Sequence, residues 1–513
     1  VLTHCLIVGE VAKELMTRQP EWLRDALFPA GSELIAAAHD IGKVSPTFQK
    51  KIAKALGVDL SGFNAINPDL EQLWMGHPGI SKATVQGLGL FIPEILGRHH
   101  GSSPALGLHS ANCEVFGGES WQRRREELIE ALKVRLGSDW PLVRDAIHAS
   151  VLSGLTTVAD WIGSGSLFER PDVPWKPLIT IALDRAGFIQ PRLRRGLSFQ
   201  DIFGFDPRPI QRVLTDACRQ PGVYILEAPM GMGKTEAALY AAYRALESDR
   251  ASGIYFALPT QLTSNRIFER MNLFLDKVLE ADQSHRRSLL VHGSARLLED
   301  AEMGEDCGPG GSWFASTKRG LLAPFAVGTV DQALMAVMNV RHGFVRTFGL
   351  AGKVVILDEV HSYDSYTGTL LDNLVKALTE IHCTVIILSA TLTRERRALL
   401  LDDEASLEER YPLVAARPRE GVPRTLAIES PADVEVALRF VAADERAMDE
   451  ALDRAGDGQQ VLWVENTVAE AQERYKTLAS RADGCGAECG LLHSRFIKAD
   501  RQRNERRWVD LYG

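Results

Sequence analysis

The sequence predicts a multidomain protein: an all-α domain, then an α/β core built on a parallel sheet, then the opening of a second α/β unit that stays incomplete. Three observations carry this. The 513 residues exceed what one hydrophobic core supports. Up to about residue 183, segments such as LIVGEVAKELM, SELIAAAHDIG, REELIEALKVRL and VRDAIHASVLSGLTTVADWIG place apolar residues at i, i+3, i+4 and i+7, the spacing of one buried helix face. Beyond residue 210 the texture changes to short apolar runs, each trailed by a helical segment, which is how strands buried on both faces of a doubly wound sheet read.

Taken in order, the helical domain covers residues 1–183. Residues 184–204 carry Pro, Gly and Arg without a sustained period and read as a connector. The core over 205–415 has strands at VYILEA, GIYFAL, KVVILDE and TVIILSA. New strands at RTLAIE and QQVLWVEN, the latter followed by TVAEAQERYKTLASR, predict a second α/β unit over 416–513. That span is short for such a layer, so the chain is expected to be a piece of something longer, with a working first site and a motor that needs further residues.

Composition narrows the class. Apolar residues make up 45% and charged residues 24%, the range of packed globular chains rather than disordered ones. No apolar run of spanning length and no cleavable leader pattern is present, which points to an intracellular protein without a membrane partner. Seven scattered cysteines suit free thiols in a reducing compartment, and the pair Cys485 and Cys489 lacks partner ligands for a metal. A net charge of −9 excludes a bulk polycation but not local phosphate contacts, for which Arg185–Arg219 and Arg495–Arg507 are the basic stretches.

Two motif sets carry chemistry. VYILEA runs into Pro229, Met230, Gly231, Met232, Gly233, Lys234 and Thr235 and then an Ala-rich helix. Glycines let backbone N–H groups and a helix N-terminus face a β-phosphate, Lys234 adds a cation, and the Thr235 hydroxyl is a Mg2+ ligand. Apolar KVVIL later delivers Asp358, Glu359, Val360 and His361 to the carboxyl end of a strand, where such sheets bind ligands. Asp358 would hold Mg2+ and Glu359 would orient the water that attacks a γ-phosphate. The cofactors expected here are ATP and Mg2+.

The second set lies in the helical domain, where scarce histidines gather: His4, His39 beside Asp40, His77, the pair His99 and His100, and Asp160 on a late helix. Imidazole and carboxylate favour Mn, Fe, Co, Ni or Zn over Ca, and the cofactors expected here are two divalent transition metals of the Fe, Mn, Co or Ni class. Asp40 is the candidate bridge between two ions, one activating water and the other polarising a phosphate. Lys43 lies nearly one turn on.

APMGMGKT, DEVH and SAT, in this order, resemble motifs I, II and III of superfamily 2 helicases, whose lobes are RecA-like. The resemblance implies that Gln211 in PRPIQ reads the adenine edge, that His361 belongs to the nucleotide site, and that Thr260, Gln261 and Thr329 contact single-strand phosphates. AAAHDIGK, the His99–His100–Gly101 run and VADWIG resemble the HD phosphohydrolase superfamily, which implies His4, His39, Asp40, His77, His99, His100 and Asp160 as ligands, Asp40 as catalytic and Lys43 as a catalytic positive charge near the scissile phosphate; Glu359 is the catalytic candidate of the phosphate-loop site.

An HD domain ahead of a DEVH core resembles the helicase-nucleases of type I CRISPR systems. That resemblance implies 3' to 5' ATP-driven translocation on single-stranded DNA, cleavage at the HD metals, and recruitment by a guide-RNA surveillance complex of the Cascade type. Two other classes are compatible with the motifs: an HD nucleotide phosphohydrolase regulated by a helicase-like ATPase, and an assembly module without intrinsic nuclease activity.

Overall fold

The computed structural model describes residues 1–58, 76–105, 114–170, 174–281, 287–291, 311–314, 316, 318–360, 365–402, 410–429 and 435–512. His361 lies outside these residues, as does the side chain of Gln261. The chain divides into two compact units, Val1–Ser430 and Pro431–Gly513.

In the first unit, helices Leu2–Thr17, Ser32–Ala38, His77–Thr84, Ile92–Gly97 and Ala146–Gly163 form the centre of the amino-terminal domain. Small residues set their spacing, because interaxial distance follows the side chains at the contact. A Cβ on Gly9 would lie 2.9 Å from Ala37 Cβ, and one on Gly163 would lie 2.9 Å from Val8 Cγ2. The first helix is thereby pressed against the two helices that end at His39–Asp40 and carry Asp160. No helix among the described residues is long and apolar enough to cross a membrane.

The strands are β1 Gly222–Glu227, β2 Ile254–Leu258, β3 Leu289–Val291, β4 Phe325–Thr329, β5 Val354–Leu357, β6 Thr384–Ser389, β7 Leu413–Pro418 and β8 Arg424–Ala427. They form one sheet in the order β3-β4-β2-β5-β6-β1-β7-β8. The six strands from β3 to β1 pair in parallel, while β7 and β8 add antiparallel.

Alternation along each strand separates two cores. Val223, Ile225, Val355, Leu357, Val385 and Ile387 face a core continuous with the helical domain. Tyr224, Leu226, Ile254, Phe256 and Ile386 face the helices Pro209–Ala217, Lys234–Glu247 and Gln261–Val278. The helical domain and the sheet domain therefore share one interior. Helix Gly343–Leu350 seals them, with Gly154 of the helical domain so close to Phe348 that a Cβ would sit 2.3 Å from Phe348 Cβ.

Two sequence expectations change. RTLAIE does not open a second sheet: it forms β8, paired antiparallel to β7, and the 415/416 boundary falls inside β7. The connector 184–204 is tied to the sheet domain, with the Arg194 N–H donating to Val278 O at 2.8 Å, the Leu197 N–H to Tyr243 Oη at 3.0 Å, and a Ser198–Asp201 capping box. QQVLWVEN belongs to no strand among the described residues, and Leu462 and Val464 are exposed. An apolar run becomes a strand only with a ladder beside it. The second unit consists of helices Asp444–Gly456, Val468–Ala482 and Lys498–Tyr512, the first two joined by Arg474 to Asp444 at 2.6 Å and by Arg481 to Asp449.

Candidate metal centre and nucleotide site

The close helix packing brings all seven histidine and aspartate candidates of the helical domain together. His4 Nε2 lies 3.1 Å from Asp40 Oδ2 and 3.6 Å from Asp160 Oδ1, and His39 Nε2 lies 3.2 Å and 3.3 Å from the same two oxygens. On the other side, His77 Nε2 is 3.2 Å and His99 Nε2 3.6 Å from Asp40 Oδ1, with His100 Nε2 3.0 Å from His77 Nε2. Two ligand sets result, His4, His39, Asp40 and Asp160 in one and His77, His99 and His100 in the other, the donor atoms of each within 4.8 Å of one another. Asp40 turns Oδ2 to the first and Oδ1 to the second.

These residues fit divalent metal. The Nε2 atoms of His4, His39 and His99 and Asp40 Oδ1 are buried without a hydrogen-bond partner, a costly arrangement unless a cation takes their lone pairs. Donor separations of about 3–4 Å follow from metal–ligand bonds of about 2.1 Å. The outer atoms are already engaged: His39 Nδ1 meets Ala36 O and His99 Nδ1 meets Leu96 O, each at 2.7 Å. A carbonyl only accepts, so each Nδ1 carries the proton and each Nε2 presents its lone pair.

Electrostatics point the same way. Burial opposes charge on His39, but Asp40 and Asp160 outweigh it and raise its pKa to about 10. The two carboxylates, held well below the usual carboxylate range by the surrounding imidazoles despite their burial, thus demand positive charge that metal would supply. Burial lowers His99 to about 3 and lowers His100 as well, keeping both neutral as ligands. The Lys43 ammonium rests on Asp40 Oδ2 from the turn Ile41–Lys43.

Sequence reasoning missed the supports. Gly42 donates its N–H to buried Ser81 Oγ at 2.9 Å, and a Cβ there would lie 2.0 Å from His77 O, so only glycine lets the Asp40 turn meet the His77 helix. Ser164 Oγ donates to Asp160 Oδ1 at 3.0 Å and Thr157 Oγ1 to His99 O at 3.3 Å. Lone hydroxyls carry no pattern that would single them out.

At the carboxyl end of the sheet, a cavity of about 490 Å³ is lined by Gln211, Gly231, Gly233, Lys234, Thr235, Asp358, Glu359 and Ser389 among others. Gly231 and Gly233 have φ of 77° and 82°, and a Cβ on Gly233 would strike Gln211 Nε2 at 2.3 Å. Lys234 Nζ donates to Ala228 O at 2.5 Å and Pro229 O at 3.3 Å. Burial pushes Asp358 up to about 6 and lowers Lys234, two groups that share the cavity.

Buried Gln211 accepts from the Arg208 N–H at 2.8 Å and donates to Gly233 O at 3.2 Å, so in this state its amide braces the loop. Arg266 and Arg270, four apart on one helix face, also line the cavity and were not anticipated. Buried Glu227 anchors the SAT loop, accepting from the Leu392 N–H at 2.9 Å and pairing with Arg397 Nε at 2.6 Å. Thr329 ends β4, opposite Leu258 of β2, and Thr260 follows two residues after that strand, where the helix Gln261–Val278 starts. Among the described side chains, neither Thr260 nor Thr329 lines the nucleotide cavity.

Comparison with known proteins agrees with this division. Residues 1–168 match the family model "Cas3, HD domain", residues 208–399 "DEAD/DEAH box helicase", and residues 457–513 "CRISPR-associated nuclease/helicase Cas3, C-terminal". The CRISPR-associated endonuclease/helicase Cas3 of Thermus thermophilus is 34% identical over 541 aligned positions, taking in 93% of this chain and 58% of that protein. The crystal structure of T. fusca Cas3-ATP superposes with a TM-score of 0.85 at 28% identity, covering 99% of this chain and 65% of that one. A chain in a CRISPR RNA-guided surveillance complex, pre-nicking, superposes with a TM-score of 0.70 at 27% identity, covering 99% and 63%. The chain thus spans less than two thirds of the length of these relatives. With an HD domain of two ligand sets joined through a common interior to a helicase core, the chain belongs to the family of CRISPR-associated Cas3 nuclease/helicases.

Proposed function

We propose that this chain supplies the nuclease and the first motor lobe of an ATP-dependent 3' to 5' translocase that degrades single-stranded target DNA in the prokaryotic cytoplasm. Recruitment by a type I guide-RNA surveillance complex is part of this reading, supported by the likeness to a chain in such a complex. The observation that carries it is the placement of Asp40, with one carboxylate oxygen toward each of two ligand sets.

His4, His39, Asp40 and Asp160 would hold one ion, and His77, His99, His100 and the other Asp40 oxygen a second. Ions of the Fe, Mn, Co or Ni class would supply an activated water and polarisation of the scissile phosphate. The chain's own part is positional and electrostatic. Asp40 stays ionised, His39 and His99 are held in one tautomer by backbone carbonyls, and Lys43 adds a cation beside the site. A single strand bends into such a cleft, whereas a stacked duplex does not.

At the second site Lys234 would exchange its loop carbonyls for β- and γ-phosphate oxygens, and Thr235 and Asp358 would hold Mg2+. Glu359 would orient the attacking water, and Gln211, once released from Gly233, would meet the adenine. Thr260, Gln261 and Thr329 would take phosphates of the translocating strand.

Incubation of the metal-loaded chain with circular single-stranded DNA and, separately, with nucleoside phosphates tests the substrate class. Opened circles and intact nucleotides are expected. Intact circles with hydrolysed nucleotides would identify a nucleotide phosphohydrolase instead.

A further inference from the structure

The turn His99–His100–Gly101 presents two ligands of the second set, and its backbone is held from two sides. Thr157 of the helical domain donates to His99 O at 3.3 Å. The next two carbonyls are taken by the motor lobe: Arg341 Nε and Nη2 both donate to His100 O at 3.2 Å, and the His342 N–H donates to Gly101 O at 3.3 Å. The fit is close. Gly101 has φ of 111°, and a Cβ there would lie 2.5 Å from Arg341 Cγ and 2.8 Å from His342 Nε2.

The same motor segment packs on the helix that carries Asp160 of the first ligand set. His342 is buried, adopts φ of 60°, and sets its ring 5.6 Å from that of Trp161, the neighbour of Asp160. Arg319, also of the motor lobe, lies over the Trp161 ring at 5.3 Å. Helix Gly343–Leu350, which begins directly after His342, packs on the helix that carries Asp160.

We infer that Arg341 and His342 are positioning residues of the metal centre, through which the motor lobe sets the His99–His100 turn and thereby the affinity of the second ion. The inference rests on the two-ion reading above. Neither residue touches an ion; both act through main-chain carbonyls. A ligand imidazole goes where its backbone goes, and a shift of a few tenths of an ångström at His100 moves its Nε2 away from His77. Loss of partners one step outside the ligands typically lowers metal affinity about 10–100-fold.

The exposed position of Arg341 permits a clean test. The chain is stripped of metal, then titrated with Mn2+ by calorimetry, for the parent, Arg341→Ala and Arg341→Lys, with thermal melting of each. The parent takes two ions. In Arg341→Ala one ion binds as in the parent and the other binds about tenfold or more weakly, while Arg341→Lys, which keeps a donor for His100 O, recovers much of the loss. Unchanged affinities for both ions in Arg341→Ala would overturn the inference, as would equal weakening of both together with a lowered melting transition, the signature of domain docking alone. Fewer than two ions in the parent would refute the two-ion site itself.

Discussion

Asp40→Ala is expected to lower cleavage of single-stranded DNA by about 10³-fold or more while leaving ATP affinity at the Lys234 loop unchanged. Several kcal/mol of phosphate and water activation rest on the ions, and each 1.36 kcal/mol is tenfold in rate. Asp40 is the residue that faces both ligand sets, so its loss removes a donor from each at once. It also leaves His39 beside Asp160 alone and the Lys43 ammonium without its carboxylate. Asp40→Asn is the control for shape, since it keeps the volume and one acceptor but not the charge. The nucleotide cavity shares no residue with this centre. Gel assays of circle opening and titration with a fluorescent ATP analogue read the two halves separately, and cleavage that survives in both variants would remove the support for a bridging carboxylate.

The converse substitution separates motor from nuclease. Lys234→Ala should weaken ATP binding by about 10–100-fold, the range for a charged hydrogen bond of about 1.5–3 kcal/mol. Metal-dependent nicking of single strands should persist, because Lys234 opens the helix that follows β1 and belongs to neither HD ligand set. Translocation-dependent shortening of long DNA should stop. Product lengths on a long linear strand distinguish the outcomes: parent-like nicks without progressive shortening are expected, and unchanged progressive degradation would place the ATP site elsewhere. Loss of nicking in Lys234→Ala as well as Asp40→Ala would mean that the two sites act as one.

What could be read before the structure was local chemistry. His39 and Asp40 are adjacent, His99 and His100 are adjacent, and Gly231 to Thr235 form one unbroken phosphate loop, so residue type and spacing revealed them. The helices of the first domain and the parallel strands were legible for the same reason, since periodicity is a property of a short window. Sheet membership is not. RTLAIE looks like any strand, and only its pairing with β7 decides that it extends the first sheet. The same holds for Arg341, an exposed residue whose meaning comes from a carbonyl 241 positions away in sequence. Gln211 shows a third limit: an amide suited to adenine is equally suited to bracing Gly233 and Arg208, and chemistry alone does not choose between them.

The shared interior also had no sequence signature. Gly154 and Phe348 are ordinary residues in their own segments, yet their contact fixes the helical domain on the sheet domain. That packing gives the motor lobe its access to the His99–His100 turn.

Anomalous scattering from crystals of protein purified without chelator, collected at the Mn, Fe, Co and Ni edges, tests the central claim most directly. Two peaks are predicted, about 3.5–4 Å apart with Asp40 between them, one beside His4, His39 and Asp160 and the other beside His77, His99 and His100. Metal-replete crystals with no peak at Asp40, or with a single ion that leaves His77, His99 and His100 unligated, would contradict it.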